Sequence, residues 1–195
     1  MLTRYMNKET PSEAPPAITE EQIRALVDRS ARGDKRAFGD LYGLYLTDVY
    51  RYFARHLNEP ADAEDLAERT FLKVWRSLHR FRWRGKPFSA WLMTIAHNEL
   101  VDFYRAQKQS APLNEHTPAL RDSPDEIVLR QIAYEKTRLA LNDLTGEQKE
   151  LIILKFFLEK DNKEIAAIMG KLEGTVRALQ MRALAALKKR LSLDT

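Results

Sequence analysis

The chain has 195 residues, of which 44% are hydrophobic and 31% are charged. This balance supplies enough apolar material for a core and excludes a wholly disordered protein. Lysine and arginine number 32 against 28 for aspartate and glutamate, so the net charge of +4 permits nucleic-acid binding without establishing it.

Several kinds of site are excluded by what the sequence lacks. There is no cysteine, so disulfides, thiolate metal sites and a cysteine nucleophile are ruled out. No two of the four histidines have the spacing that would place a pair of ligands on one helical face, so no metal site is expected. No apolar run approaches the roughly 20 residues that span a bilayer, and the first residues lack the apolar stretch of a secretory signal. We expect a cytoplasmic protein that does not insert into membranes.

Proline-rich stretches divide the chain. Residues 1–20 carry three prolines among mostly polar residues, a composition typical of a mobile tail. Residues 109–125 carry three more with few large apolar residues, which predicts a flexible linker. We therefore expect an all-α protein with two small helical domains, a first module at 21–108 and a second module at 126–195.

Three amphipathic helices are predicted in the first module, because apolar residues recur there at three- and four-residue steps without strand-like alternation. The first has its apolar positions at Phe38, Leu41, Tyr42, Tyr45, Leu46, Val49, Tyr50 and Phe53. Asn58 and Pro60 separate it from a second, with apolar positions at Leu66, Ala67, Phe71, Val74, Trp75 and Leu78. A third begins near Ser89, after Gly85 and Pro87, with Leu92, Ile95, Ala96, Leu100 and Phe103 as core positions. The first module should thus contain three or four packed helices.

Acidic residues gather at the start of the second of these helices. They are Asp62, Glu64, Asp65 and Glu68. Negative charge is favoured there by the helix dipole, so capping alone could explain them, but they could equally dock on a basic helical partner. No phosphate loop, metal cluster or nucleophile motif accompanies these carboxylates, so we expect no catalytic residues, no cofactor and no enzymatic activity.

Cations and aromatic residues alternate over residues 80–88, RFRWRGKPF. Such a segment suits a nucleic-acid strand with unstacked bases, because aromatic faces stack on bases while cations follow the backbone. Phe81 and Trp83 are the better candidates for bases. The alternative is a loop whose aromatic side chains fill the core, and this interpretation is favoured for Phe88 and Trp91.

The second module should begin with a helix at about 127–141, followed by a helix that Thr145 and Gln148 start as a capping box. The apolar side of that helix is assigned to Leu151, Ile152, Leu154 and Phe156.

A short helix, a glycine turn and a longer basic helix follow. Asp161 or Asn162 can cap the short helix at 163–169, Gly170 ends it, and the longer helix covers about 174–191. This order predicts a helix-turn-helix. Its small core is assigned to Ile165, Ala166, Ile168, Met169, Val176, Leu179, Leu184 and Leu187.

The longer helix carries a candidate face for the DNA major groove. The residues expected on it are Thr175, Arg177, Ala178, Met181 and Arg182. Arginine can bond the acceptor edge of guanine, and small or apolar side chains can touch thymine methyl groups. Lys188, Lys189 and Arg190 suit phosphates better. The alternative is a solvated basic face on an ordinary helical hairpin.

Together and in this order, these segments resemble the extracytoplasmic-function sigma factors, the compact two-domain branch of the bacterial primary sigma family. Residues 22–108 are similar to the family's region two, and residues 126–193 to its region four. Within the first, residues 62–75 resemble the polymerase-clamp-binding helix, and residues 91–98 the promoter-melting helix. Residues 164–169 and 174–177 resemble the reader of the upstream promoter element, whereas Leu172 between them departs from the Ser or Pro that family members commonly carry there.

The resemblance implies a sigma subunit that directs core RNA polymerase to specific promoters and assists promoter melting. Its partners would be the β′ clamp and the β subunit of the polymerase, promoter DNA and an anti-sigma factor. The β′ clamp contacts would be Asp62, Glu64, Asp65, Leu66 and Phe71. The minus-ten contacts would be Phe81, Arg82, Trp83, Arg84, Lys86, Asn98 and Arg105. The minus-thirty-five element would be recognised by Thr175, Arg177, Ala178, Met181 and Arg182.

Two other functions stay open from the residues alone. One is a self-sufficient helix-turn-helix repressor or activator whose first module dimerises or binds a ligand, although this leaves the segment at 80–88 unexplained. The other is a helical adaptor that binds only protein and has no salt-dependent affinity for DNA.

Overall fold

The computed structural model describes residues 18–83, 85, 87–110, 141 and 143–191, and every regular element in these ranges is helical. The α-helices are α1 (Glu20–Ala31), α2 (Lys35–His56), α3 (Pro60–Ser77), α4 (Phe88–Ser110), α5 (Gly146–Ile152), α6 (Asn162–Ile168) and α7 (Glu173–Leu191). A 3₁₀ turn at Leu78–Arg80 follows α3, and a π-helical turn at Ile153–Phe157 follows α5. The start of the predicted tail, the predicted linker from residue 111 onward and almost all of the helix predicted at 127–141 lie outside the described residues. The predicted start of the linker at residue 109 is wrong, because α4 continues to Ser110.

Helix α1 begins inside the segment that composition assigned to a tail. The Thr19 hydroxyl accepts a hydrogen bond from the Gln22 N–H at 3.2 Å, and the Gln22 side chain accepts one from the Thr19 N–H at 2.8 Å. This reciprocal pair satisfies two backbone donors that the first helical turn leaves unpaired. The predicted tail therefore extends too far, because Thr19 caps α1 and Glu20 is its first residue. The capping pair of Thr19 and Gln22 was the sign of a helix start that the sequence analysis overlooked.

A tight turn links α1 to α2. Gly33 lies at φ 93, a conformation that glycine adopts without steric cost. Asp34 then accepts hydrogen bonds from the backbone N–H groups of Arg36 and Ala37, which caps α2, and pairs with Arg29 at 2.6 Å. These contacts hold α1 alongside α2.

Helices α2, α3 and α4 form the first module with α1, as their apolar stripes predicted. The residues buried at their centre include Val27, Leu41, Val49, Phe53, Leu66, Val74, Leu92 and Leu100. Phe88 is also buried, and it contacts Tyr45, Phe81 and Trp91 through its ring. The prediction that Phe88 serves the core is confirmed.

The second module contains the predicted helix-turn-helix. Thr145 and Gln148 form the expected capping box at α5. Of the two candidate caps for α6, Asp161 is the one that accepts from the Glu164 N–H, at 2.7 Å. Gly170 lies at φ 63 and turns the chain between α6 and α7.

Two core assignments in the second module were wrong. Phe156 is 52% exposed, because the π turn adds a residue to the helical repeat and brings Phe157 to the packed side instead. Leu184 is exposed while Ala183 is fully buried. The buried positions of α7 are Val176, Leu179 and Ala183, a three- and four-residue spacing that leaves Leu184 beside the seam.

The two modules pack against each other through α4 with α6 and through α2 with the π turn. Across residues 18–83, 87–110 and 143–191, no helix is long and apolar enough to cross a membrane.

Candidate nucleic-acid interface

The acidic surface lies on α3. Pro60 occupies the first turn of this helix, where its missing N–H costs nothing. Glu64 and Asp65 are exposed and Asp62 is partly buried, and Asp65 pairs with Arg69 at 2.7 Å. Leu66 lies on the opposite side of the helix and is 1% exposed. The carboxylates are thus accessible to a partner, whereas Leu66 anchors the helix in the core.

An apolar groove of about 440 Å³ lies next to these carboxylates, between α2 and α3. It is lined by Lys35, Phe38, Tyr42, Glu68, Phe71, Leu72 and Trp75. Phe71 forms its buried floor and packs on Tyr42 with 4.6 Å between ring centroids, whereas Leu72 is 54% exposed at the rim. An exposed leucine beside acidic residues is suited to a helical partner with apolar and basic side chains.

The segment at 80–88 is held by an aromatic cluster. The Phe81 ring packs on Trp83, Phe88 and Trp91, with centroid distances of 4.9, 5.6 and 5.0 Å. Phe81 is only partly buried, so part of its ring is open to solvent. The guanidinium of Arg82 donates to the carbonyl groups of His79 and Phe81, which folds this cation back on its own segment.

Helix α1 also restrains this segment, a role that sequence analysis missed. The Trp83 indole N–H donates to the Asp28 carboxylate at 3.2 Å, and the Arg24 guanidinium lies 4.7 Å from the Trp83 ring centroid. Arg24 and Asp28 are exposed and four residues apart, so they occupy neighbouring turns on one face of α1. The four-residue spacing of Arg24 and Asp28 was the only feature of the sequence that indicated this contact with Trp83.

The other residues predicted to contact the minus-ten element lie outside the aromatic cluster. Asn98 and Arg105 are exposed on α4, and Arg105 pairs with Asp102 at 3.1 Å. Arg84 and Lys86 lie outside the described residues.

The recognition face predicted on α7 is continuous. Thr175, Arg177, Ala178, Met181 and Arg182 are all exposed. Met181 is 72% exposed, so its apolar side chain is open to contact with a thymine methyl group. Among the described residues Arg177 pairs with Glu173 at a long distance of 3.4 Å, so its guanidinium can turn to a base edge.

The basic end of α7 is also exposed, at Lys188, Lys189 and Arg190. Arg190 pairs with Asp143 at 2.7 Å, so a phosphate would have to compete for it with this carboxylate.

A buried polar cluster lies where the modules meet. The Glu150 carboxylate of α5 accepts hydrogen bonds from the Tyr52 hydroxyl at 2.6 Å and from His97 Nδ1 at 2.9 Å, while His56 Nε2 lies 3.8 Å away. His56 Nδ1 donates to the Tyr52 carbonyl at 2.8 Å, so Nε2 carries no proton in the neutral ring. Sequence analysis missed this cluster altogether.

Burial and hydrogen bonding set the charges of this cluster. Burial lowers the pKa of His56 to about 4, so this ring is neutral at physiological pH. The hydrogen bond to Glu150 raises the pKa of His97 against the effect of burial. Burial raises the pKa of Glu150, but the hydrogen bonds from His97 and Tyr52 and the charge interaction with His97 leave the pKa below its usual value. The hydrogen bond between Glu150 and His97 therefore favours the ionised form of each of the two groups.

Two family models match the chain, one to each module. Sigma-70 region 2 matches residues 41–110, and Sigma-70, region 4 matches residues 134–187. The ECF RNA polymerase sigma factor BldN of Streptomyces coelicolor is 34% identical over 187 residues, which cover 92% of this chain and 70% of BldN. The RNA polymerase sigma-H factor of Pseudomonas aeruginosa is 30% identical over 186 residues, which cover 89% of this chain and 96% of that protein.

Solved structures resemble the fold across both modules. CnrH in complex with the cytosolic domain of CnrY matches with a TM-score of 0.66 and 27% identity, over 88% of this chain and 98% of the other. The sigma factor RpoE of Bartonella quintana, in complex with the anti-sigma factor NepR, matches with a TM-score of 0.64 and 26% identity, over 81% and 98%.

Proposed function

The chain belongs to the sigma-70 family of RNA polymerase sigma factors, and on that premise we propose that it binds core RNA polymerase, places it at a defined promoter set and helps to open the DNA. Promoter recognition and transcription initiation follow from the family. The division of labour between the surfaces is our proposal, as is action in the cytoplasm without catalysis of a reaction.

One observation carries the proposal. Two chemically different surfaces face solvent on two separate modules, an acidic and apolar surface on α3 and a recognition surface on α7 with exposed arginines and a methionine. A protein that only bound operator DNA would not need the first surface.

The α3 surface is proposed to bind the polymerase. Asp62, Glu64 and Asp65 would meet basic residues of the β′ clamp, and an apolar side chain of the clamp would enter the groove above Phe71. Leu66 is too deeply buried to touch a partner, so its contribution is to hold α3 in place.

The segment around Phe81 is proposed to hold bases of the minus-ten element after the strand has opened. Partly buried aromatic rings beside arginines favour extruded bases, for which stacking contributes about 1 to 3 kcal/mol per base. Arg82, Trp83, Asn98 and Arg105 would line the path of this strand, and Arg84 and Lys86 remain candidates outside the described residues.

The α7 surface is proposed to recognise the minus-thirty-five element as a duplex. Thr175, Arg177, Ala178, Met181 and Arg182 would face the major groove, while Lys188, Lys189 and Arg190 would contact phosphates.

Regulation by an anti-sigma factor is also proposed. RpoE of Bartonella quintana, which this fold resembles, was solved in complex with the anti-sigma factor NepR. We propose that a similar protein binds this chain, and that the polymerase β subunit contacts the second module when the inhibitor leaves.

The direct test combines co-purification with core polymerase and promoter-dependent transcription from purified components. The proposal predicts both, and it predicts that Asp62→Lys combined with Asp65→Lys abolishes co-purification. Tight binding of the protein alone to a duplex operator, with neither co-purification nor transcription, would instead show a self-sufficient regulator.

A further inference from the structure

Leu172 is a large apolar side chain that the fold leaves in solvent. It lies in the turn between α6 and α7 and is 79% exposed, more than any other large apolar side chain of the described residues. Met181, on the predicted recognition face of α7, comes next at 72%. A single exposed leucine is ordinary on a protein surface. The position of Leu172 is what gives its exposure a meaning.

Hydrogen bonds on both sides hold Leu172 at the start of the recognition helix. The N–H of Lys171 donates to the Ala166 carbonyl at 2.9 Å, and the Lys171 ammonium pairs with Glu147 of α5 at 2.7 Å. The Leu172 carbonyl accepts from the N–H of Val176 at 3.1 Å, which is the first helical bond of α7. Leu172 therefore occupies the N-cap position of α7, at a fixed place relative to α5 and α6.

A leucine is a poor residue for an N-cap. Serine, threonine, aspartate and asparagine are preferred, because a side-chain oxygen accepts a hydrogen bond from the N–H two or three residues later. Four other helices begin in this way, at Thr19, Asp34, Thr145 and Asp161. The hydrocarbon side chain of Leu172 cannot accept such a bond, and it also leaves apolar surface in water. Neither property stabilises the free protein, which suits a residue that acts in a complex.

The neighbour of this side chain belongs to the predicted recognition face. An N-cap side chain lies beside the residue three positions later, which is Thr175, and Thr175 is exposed. In helix-turn-helix proteins the N-terminal residues of the recognition helix contact the edges of the bases. On the proposed function of α7, Leu172 therefore extends the recognition face toward the start of the helix.

The chemistry of the major groove offers one group that suits a leucine. Base pairs present hydrogen-bond donors and acceptors there, which a hydrocarbon cannot use, and a single kind of apolar group, the C5 methyl of thymine. Phosphates are charged and hydrated, so they offer no apolar surface. The carboxylate next to Leu172, that of Glu173, pairs with Arg177 at 3.4 Å, which reduces its repulsion of DNA.

We propose that Leu172 is a specificity-determining residue of the second module, which recognises one thymine of the minus-thirty-five duplex through its C5 methyl group. This inference rests on the proposed function and adds to it a residue and the base chemistry that the residue reads.

The test removes single methyl groups from the DNA. Wild-type holoenzyme first selects its preferred duplex from a pool that is randomised over the minus-thirty-five region. Each thymine of that duplex is then replaced in turn by deoxyuridine, which lacks the C5 methyl but keeps every hydrogen-bonding group. Dissociation constants are measured for holoenzymes with the wild-type chain, Leu172→Ser and Leu172→Ala. The matched control is Leu172→Met, which keeps an apolar side chain of similar size and adds no cap.

Loss of the methyl group that Leu172 contacts should weaken wild-type binding about fourfold, the effect expected from one buried methyl group. Leu172→Ser and Leu172→Ala should bind the thymine duplex at least about fourfold more weakly and should lose the methyl dependence at this thymine alone. Leu172→Met should keep it. If Leu172→Ser and Leu172→Ala retain the wild-type dependence at every thymine, or if no methyl removal affects the wild type, the proposal is overturned.

Thermal unfolding of the free chain separates DNA recognition from a structural role. Leu172→Ser should raise the melting temperature by about 2 °C, because the serine hydroxyl can cap α7, while it weakens DNA binding. A fall in both would show a structural role and overturn the proposal. Weaker binding to core polymerase with unchanged DNA binding would also overturn it. A wild-type holoenzyme that selects no preferred duplex would instead contradict the proposed function, on which this inference depends.

Discussion

The indole N–H of Trp83 donates a hydrogen bond to the carboxylate of Asp28, 55 residues earlier in the chain. Helix α1 therefore restrains the aromatic segment that we assign to single-stranded DNA. Arg24, one turn before Asp28, covers the face of the same indole. A side chain held in one orientation before binding loses less conformational entropy when a base stacks on it or beside it.

Asp28→Ala should slow promoter opening by about two- to fivefold, the effect expected from one exposed hydrogen bond. The rate can be followed by the fluorescence of 2-aminopurine placed in the minus-ten element, with holoenzyme at saturating concentration. Glu21→Ala on the same helix is the control, because Glu21 is exposed. Trp83→Ala should have the larger effect and should abolish any further effect of Asp28→Ala. If the two substitutions together slow promoter opening by the product of their separate effects, Asp28 does not act through Trp83.

Arg177→Ala should weaken holoenzyme binding to the cognate minus-thirty-five element by about 1 to 3 kcal/mol and relax specificity at one base pair. Lys188→Ala is the comparison, because a phosphate contact should weaken binding equally for all sequences and reduce the salt slope by about one. Titrations at several salt concentrations, on cognate and single-substituted duplexes, separate the two patterns. If Arg177→Ala weakens binding equally for all duplex sequences, Arg177 contacts the DNA backbone and not a base.

Leu66→Ala should lower the free energy of unfolding by about 3 kcal/mol, since it removes a buried leucine and leaves a cavity at the centre of the first module. Chemical denaturation measures this loss. Leu72→Ala on the same helix should cost much less stability, because Leu72 is half-exposed, but should weaken binding to core polymerase. The opposite pattern would show that Leu66 is the docking residue.

His97 should stabilise the folded protein in a pH-dependent manner. Its pKa is raised by the hydrogen bond to Glu150, so its contribution is fully present below its ordinary pKa of about 6.5 and is lost as the pH rises through the higher folded-state value. His97→Gln should therefore reduce the free energy of unfolding more at pH 6 than at pH 9. Equal losses at both pH values, measured by urea denaturation, would show that His97 is not charged in the fold.

His56 should act in the opposite sense. Burial lowers its pKa to about 4, even though the Glu150 carboxylate and the hydrogen bond to the Tyr52 carbonyl both act to raise it. The unfolded chain takes up a proton below about pH 6.5 while the folded chain does not, so stability falls as the pH drops from 6.5 towards 4, by about 3 kcal/mol at the lower end. His56→Gln should flatten the profile in this range. An unchanged slope would assign the acid sensitivity to another group.

Local patterns were enough to predict much of the fold. The capping box of Thr145 and Gln148, the turn at Gly170 and the apolar stripe of α2 each depend on residues within a few positions of one another, and each is present in the structure. The same periodicity predicted the exposure of Thr175, Arg177, Ala178, Met181 and Arg182 on α7, although it misplaced Leu184 in the core.

Contacts between distant residues were not predictable in this way. Tyr52 and Glu150 are 98 positions apart, and Glu150 falls among the polar residues of a short amphipathic helix, where a carboxylate is normally solvated. Its burial depends on how one module packs on the other, and no spacing within α5 encodes that. The contact between Trp83 and Asp28 was missed for the same reason.

The π turn at Ile153–Phe157 decides which of two consecutive phenylalanines faces the first module. Phe157 lies under the Arg55 guanidinium, whereas Phe156 is directed to solvent. In a regular α-helix each residue rotates the direction of the side chain by about 100° around the helix axis. The π turn acts as a one-residue insertion, so it changes the direction in which each later side chain of this helix points. The number of residues between Glu150 and Phe157 is therefore itself a determinant of the interface: an evolutionary deletion here would preserve every contacting side chain and still misalign them.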